Sequence, residues 1–465
     1  MVRWVPWLLL GLVLSACASR PSLPPMEVAA GAGPVHERVL ANGLKVIVKQ
    51  DHRAPVVVSQ IWYKVGSSYE HDGITGISHV LEHMMFKGTK RYPAGEFSRI
   101  IAENGGRENA FTGRDYTAYF QTLAKDRLAV SFELEADRMR GLLLDPEEFA
   151  KEVRVVMEER RMRTEDNPQA LTGEHFNAVA YLSSPYHWPI IGWMDDLENL
   201  TIEDLRGWYD AWYRPNNATV VVVGDVDPQE VFELAERYYG PIEAAPLPQV
   251  KPRREVEQRG ERRLRVVAPA RLPYLMMGWK TPALGRHEAE WEPYAMEVLA
   301  AVLDGGLSAR LETELVRAQR IAASIGTGYD LYTPRRELLT ISATPAPGRD
   351  IAELEAAIEA QIERLRREPV TAEELARVKA QVVAGKVYER DSMFYQAMQI
   401  GMLETLGYGW RVQEEYLTRI ERVTPEQIQQ VARKYLTERR RTVAVLDPQP
   451  SDRPVASQGG SRLVR

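Results

Sequence analysis

The residues best suited to chemistry stand in one short run, His79-Val80-Leu81-Glu82-His83. On a helix, positions four apart project from one face about a turn apart. Two imidazoles placed so can share one Zn²⁺ at ~2.0–2.1 Å. Glu82 lies one turn from His79 and beside His83, where its carboxylate reaches a zinc-bound water without being a ligand. Ile77, Val80, Leu81, Met84, Met85 and Phe86 make the surroundings apolar. The helix is therefore expected to be buried, and its ionisable residues need partners there. The chain has only 8 His, so chance puts H-x-x-E-H in roughly one such sequence in a hundred. The plain alternative is a buried histidine pair hydrogen-bonded to Glu82.

A catalytic zinc usually takes three protein ligands and leaves one position open. The third must come from elsewhere. Residues 146–165 (PEEFAKEVRVVMEERRMRTE) read as one long helix. Glu152, Val155, Val156 and Glu159 fall on it at i, i+3, i+4 and i+7, a single stripe. Two carboxylates on such a stripe are costly unless paired or metal-bound. Glu158 points about 100° away and reads as a solvated charge. A structural zinc is disfavoured, because structural sites favour four Cys or His ligands and no free Glu. His36, His52, His71, His175, His187 and His287 show no ligand spacing and read as surface or hydrogen-bonded core residues.

The elements that must hold these residues recur along the chain. Thr201 opens a helix followed by the strand 218–224 (ATVVVVG). Thr424 opens another, followed by a strand over 442–446. Both intervals, Thr201 to Thr424 and Thr219 to Thr442, are 223 positions. The two threonines read as N-caps with Glu at or near the third helical position. Each half also opens with strands, GLKVIVKQ and APVVVSQIWYKVG, then RLRVVAPA and YLMMGWKT. A repeat this long is a duplicated domain and not a solenoid unit of ~20–50 residues. The expected fold is α+β: two homologous α/β sandwich domains, each a mostly antiparallel sheet with helices on one face. Residues 35–241 form the zinc-binding domain, 242–263 a Pro- and charge-rich solvated linker, 264–448 a second domain without a metal site, and 449–465 a disordered tail.

Composition is consistent with this. The 465 residues are 45% hydrophobic and 27% charged, which excludes a collagen, a disordered chain and a polytopic membrane protein. The formal net charge of −6 gives no global attraction to nucleic acid, and none is expected as a partner. The lone cysteine, Cys17, excludes an intramolecular disulfide. Residues 1–16 carry Arg3 and a short apolar run, as a signal peptide does. The end, Leu14-Ser15-Ala16-Cys17, resembles a bacterial lipoprotein signal, in which the cysteine is acylated. Residues 17–34 then form a flexible tether. The implied location is the cell envelope, lipid-anchored, at the outer membrane facing the periplasm, since Ala18 and not Asp follows the cysteine.

With these motifs in place, the sequence resembles the pitrilysin/mitochondrial processing peptidase family, the inverzincins, whose signature is H-x-x-E-H. The family draws its third ligand from a Glu some 75 residues downstream, with another Glu seven residues before it. Glu159 stands 76 residues beyond His83. The resemblance therefore makes Glu159 the ligand and Glu152 its supporting carboxylate. The segment Gly105–Tyr119 resembles the family's active-site strand, in which Asn109 and Ala110 pair with an extended substrate. Pro185–Gly192, Asp196–Thr201 and Tyr213–Ala218 are also family-like, and the match spans about residues 35–450. It implies one zinc per chain and peptide hydrolysis, with Glu82 taking the water proton and delivering it to the leaving amine.

One motif departs from the family. Gly305-Gly-Leu-Ser-Ala-Arg-Leu311 is present, but the second-half helix 294–303 carries Met296, Glu297 and Val298 in place of ligands. Members usually place an Arg and, seven residues on, a Tyr that hold the substrate. Arg317 fits the Arg, but position 324 is Ser, and Tyr329 comes five residues later. The resemblance thus implies a catalytic subunit of a dimer. A homologous partner chain supplies the Arg/Tyr clamp, or a homodimer forms. The alternative is a non-catalytic, peptide-binding or scaffold subunit. The intact His79/Glu82/His83/Glu159 set argues against it.

Overall fold

The segment ATVVVVG is apolar at every position, and a strand of this kind needs cover on both faces. The computed structural model describes residues 32–285, 289–335 and 337–450. Cys17, the signal segment, His287 and the tail beyond residue 450 lie outside the described residues. The first sheet is built from β1 (Ala32–Val39), β2 (Lys45–Asp51), β3 (Val56–Tyr63), β4 (Arg107–Thr112), β5 (Thr117–Ala124) and β6 (Ala218–Gly224). The second comprises β7 (Arg262–Pro269), β8 (Tyr274–Thr281), β9 (Ala322–Gly328), β10 (Glu337–Pro345) and β11 (Arg441–Gln449). Their orders are β1-β2-β6-β3-β5-β4 and β7-β11-β8-β10-β9. Without β1 the two orders coincide. Each sheet has one parallel pair, β2 with β6 and β7 with β11, and is otherwise antiparallel. Thr219 sits opposite Lys45 and Thr442 opposite Arg262, the same place in both ladders. The α+β fold with two related sheets is thus as expected.

Helices cover both faces of each sheet, not one. On β6, Val220 and Val222 enter the first half's main core, while Val221 and Val223 enter a separate cluster on the opposite face. That opposite face is covered by Met393–Thr405, a helix of the second half, through Ala397 and Ile400. Its approach is so close that a Cβ at Gly401 would lie 2.1 Å from Trp62 Nε1. In return, helix Pro168–Ala180 of the first half packs on β7, β8 and β11, with Phe176 and Ala180 against Leu338 and Ala444. The halves therefore exchange a helix each. Apolar periodicity reveals that a helix has a buried face, but not which sheet buries it.

Several local expectations need adjustment. β1 begins at Ala32, inside the segment read as a tether. Thr201 and Thr424 do cap helices Ile202–Trp212 and Pro425–Tyr435 with capping boxes, but the third helical residues are Asp204 and Gln427, not Glu. The 146–165 helix is α-helical over Pro146–Arg160 and then widens into a π-turn, Arg161–Glu165. The 242–263 segment is not simply solvated. Glu255 is buried, accepts the backbone N–H groups of Leu182, Ser183 and Ser184 at 2.9–3.0 Å, and pairs with Lys280 of β8. Among the described residues, no helix is long and apolar enough to cross a membrane.

Candidate metal centre

His79, Glu82 and His83 lie on the helix Ile77–Met84, which is eight residues long. A helix this short is marginal by itself, so its ends must be held. At its start, Gly76 has φ 88°, and a Cβ there would lie 2.6 Å from the Ile191 carbonyl oxygen. Only glycine allows both the left-handed backbone and that contact. The first-turn donors are taken by Glu70, which is buried and accepts Gly76 N–H at 2.8 Å and Ser78 N–H at 2.9 Å. Burial raises the Glu70 carboxyl to about 7, against the pull of these two bonds. Thr75 donates to Asp196 and accepts from Trp193 N–H at 2.9 Å, which fixes the approach to the helix.

Helix Pro146–Arg160 supplies the facing carboxylates. Asp145 caps it and Pro146 occupies its first turn. His79 Nε2 lies 3.8 Å from Glu159, and His83 Nε2 lies 3.5 Å from the other oxygen of the same carboxylate. One donor atom from each of the three residues falls within 4.8 Å of the others. Ligands ~2.1 Å from a tetrahedral ion sit about 3.4 Å apart, so the set fits a divalent ion after small side-chain adjustments. Burial pushes the His79 imidazole down to about 3, which keeps it neutral, as a ligand must be. Glu152 lies 3.2 Å from His83 Nδ1 and 2.5 Å from Lys87. It holds the ring so that Nε2 points to the shared centre. Glu82 accepts a hydrogen bond from the Thr112 hydroxyl of β4, and burial raises its carboxyl.

Other residues fall where the stripe did not place them. Val155 is 47% exposed, so of the stripe only Glu152 and Val156 are buried, with Glu159 partly buried. Glu158 is exposed and pairs with Arg161, as a solvated charge does. A cavity of about 720 Å³ opens on His79, His83, Glu159 and Glu82. Asn109 and Ala110 line it on β4, whose outer side has no strand beside it. Arg317 does not line this cavity. It is half exposed on the turn Glu312–Ala318 and pairs with Glu312 at 3.1 Å. Ser324 lies exposed on the edge strand β9, and Tyr329 donates its hydroxyl to the Pro282 carbonyl. In the second half, Glu297 is mostly buried, with its carboxyl raised to about 7 by burial and bonded to the Tyr416 hydroxyl at 3.2 Å.

Sequence spacing missed several residues of the site. Glu70, the cap of the metal helix, carries no spacing signal because it acts across a loop. His187, read as surface or core, lines the cavity beside Trp188, and burial lowers its pKa. Arg160 is buried, binds Glu174 through two 2.8 Å contacts and reaches the Gly192 carbonyl at 2.9 Å. It thereby joins the ligand helix to the loop that lines the cavity.

Residues 45–192 match the family model described as "Insulinase (Peptidase family M16)", and residues 199–382 match "Peptidase M16 inactive domain". A zinc protease of Helicobacter pylori, PqqE, is 36% identical over 354 residues, covering 74% of this chain and 78% of its own. The chain belongs to peptidase family M16. An uncharacterised zinc protease of Mycobacterium tuberculosis is 29% identical over 94% of this chain and 98% of its own. The crystal structure of a protease from Helicobacter pylori superposes with a TM-score of 0.85 at 31% identity, covering 90% of this chain and all of that one. The first half of the periplasmic protease PqqL from Escherichia coli shares the fold, with a TM-score of 0.75 at 18% identity.

The way this M16 chain holds its metal helix can be tested at Glu70. Glu70→Ala leaves two buried N–H groups unpaired, at about 1–3 kcal/mol for each such group. Denaturant unfolding should show a loss of this order, whereas Glu70→Gln, which keeps an acceptor oxygen, should lose less. Equal stability of the alanine variant and the parent chain would contradict the capping role.

Proposed function

We propose that the chain is a zinc-dependent endopeptidase that hydrolyses peptides or unfolded polypeptides, with one zinc per chain held by His79, His83 and Glu159. The observation that carries this reading is the convergence of two imidazole Nε2 atoms and one carboxylate beside a second carboxylate, Glu82, outside that set. Bound there, zinc acts as a Lewis acid toward water and a carbonyl oxygen. Glu82 takes the proton of the attacking water and passes it to the leaving amine, and its burial keeps the carboxyl basic enough for both steps. The open side of β4 runs past Asn109 and Ala110, where an extended peptide can add as a strand, which makes affinity weakly dependent on sequence. Glu152 keeps the His83 ring oriented through the cycle.

Metal analysis separates the two roles. His79→Ala should lose zinc, whereas Glu82→Gln should keep it and lose hydrolysis. Full zinc in the first variant or near-normal turnover in the second would overturn the assignment.

The clamp is assigned to a second chain. Arg317 and Ser324 are both exposed and neither lines the cavity of its own chain, which fits a role at another molecule or none. The chain is then the catalytic subunit of a dimer, and a homologue bearing the Arg and Tyr completes it. One oxyanion-type donor is worth ~10²–10³ in rate. Peptide cleavage by the purified chain should be slow and should rise by about that factor when the homologue is added. Full activity alone, unchanged by the partner and by Arg317→Ala, would point to a self-sufficient enzyme. If no partner restores cleavage and Glu82→Gln changes nothing, the non-catalytic reading stands.

The lone cysteine in a signal-like context supports a lipid anchor at Cys17, with the enzyme at the outer membrane facing the periplasm. Cell fractionation of Cys17→Ser should find the protein released. Retention in the membrane fraction would argue against acylation.

A further inference from the structure

The cavity beside the histidines holds carboxylates that are all engaged. Glu174 is gripped by the buried Arg160, Glu159 faces both imidazoles, and Glu82 accepts from Thr112. Its cations are less occupied. The two cationic side chains lining it, among the described residues, are Arg114 and Arg163. Arg163 is 72% exposed, and its carboxylate partner is Glu159, the same group that faces the imidazoles. Arg114 is partly buried on the turn after β4 and lies over the Tyr186 ring, 4.9 Å from its centroid. It makes no ion pair among the described residues. The nearby carboxylates are otherwise committed. Asp115 accepts from the Ser68 and Tyr186 hydroxyls, and Asp330 of the second half accepts Tyr332 N–H at 2.8 Å while only feeling the Arg114 charge.

A guanidinium held against an aromatic ring is preorganised, and its fork matches a carboxylate. Arg114 stands two residues beyond Thr112, the end of the strand whose outer edge is free. A peptide lying along that edge would bring the side chains next to its scissile bond toward Arg114. We propose that Arg114, with Arg163 as a second cation, selects peptides carrying a carboxylate close to the bond that is cut. This rests on the peptidase reading for its substrate class, but its test does not need turnover. The carboxylate can belong to an Asp or Glu side chain or to a free C-terminus.

The test is binding of short fluorescent peptides to the zinc-loaded Glu82→Gln chain, followed by anisotropy. Three peptides are compared: an internal Glu with an amidated C-terminus, its Gln twin, and the Gln twin with a free C-terminus. A charge-assisted bond in a partly buried site is worth roughly 10- to 100-fold in affinity, so the Glu peptide should bind that much tighter than its amidated Gln twin. Tight binding of the free-acid Gln peptide instead would assign the carboxylate to a C-terminus. Arg114→Gln should erase the preference and Arg114→Glu should reverse it. A melting curve and zinc content like the parent's qualify each variant, and Arg114→Gln alone decides the matter if the reversal variant misfolds. Equal or absent binding of all three peptides overturns the proposal, as does a preference that survives Arg114→Gln. A preference without hydrolysis by the parent chain and its partner would retire the peptidase reading and leave the Arg114 assignment. Hydrolysis without a preference would do the reverse.

Discussion

Two imidazoles can share one ion only if the short helix that carries them is held still. An eight-residue helix cannot hold itself. Buried carboxylates do it here. Glu70 binds its first N–H groups, and Glu152 binds the ring at its far end while Lys87 balances the charge. Glu159 then faces both Nε2 atoms from a longer, well-capped helix. Each of these carboxylates would be costly without its partner. The site is therefore a set of mutually dependent buried charges, and the apolar residues of the helix anchor it to the core of the first half.

The cavity wall depends on contacts from farther away. Residues 185–192 close one side, and they are fixed at two points. Glu255, from the segment joining the halves, binds the backbone just before them, and Arg160 binds the Gly192 carbonyl at their end. The exchanged helices pin the two halves together, because each sheet would otherwise expose an apolar face. The second half thus supports the metal site without lending it a ligand, and its own buried Glu297 is bonded to a tyrosine. The half that holds the candidate metal centre and the half that does not are one folding problem.

Sequence and structure part company where contacts are long-range. The H-x-x-E-H spacing, the Glu152/Glu159 interval and the 223-residue repeat could all be read directly, because helix and strand geometry turn a fixed spacing into a fixed face. Resemblance to a family was needed to choose Glu159 over Glu152. The stripe itself placed Val155 inside, although it is exposed, because a period of 3.6 cannot show how wide the covered face is.

Alone, then, the sequence determined the candidate ligand types, the local helix that pairs two of them, the duplicated α+β plan and the family resemblance. All of these follow from short-range periodicity or from matching motifs. Tertiary structure alone decided that Glu70 caps the histidine helix, that His187 and Arg114 line the cavity, that the joining segment holds the backbone just before its wall, and that Arg317 lies outside that cavity. These depend on how distant segments cross in space. No local pattern encodes that path, because burial and close approach are set by the whole packed core.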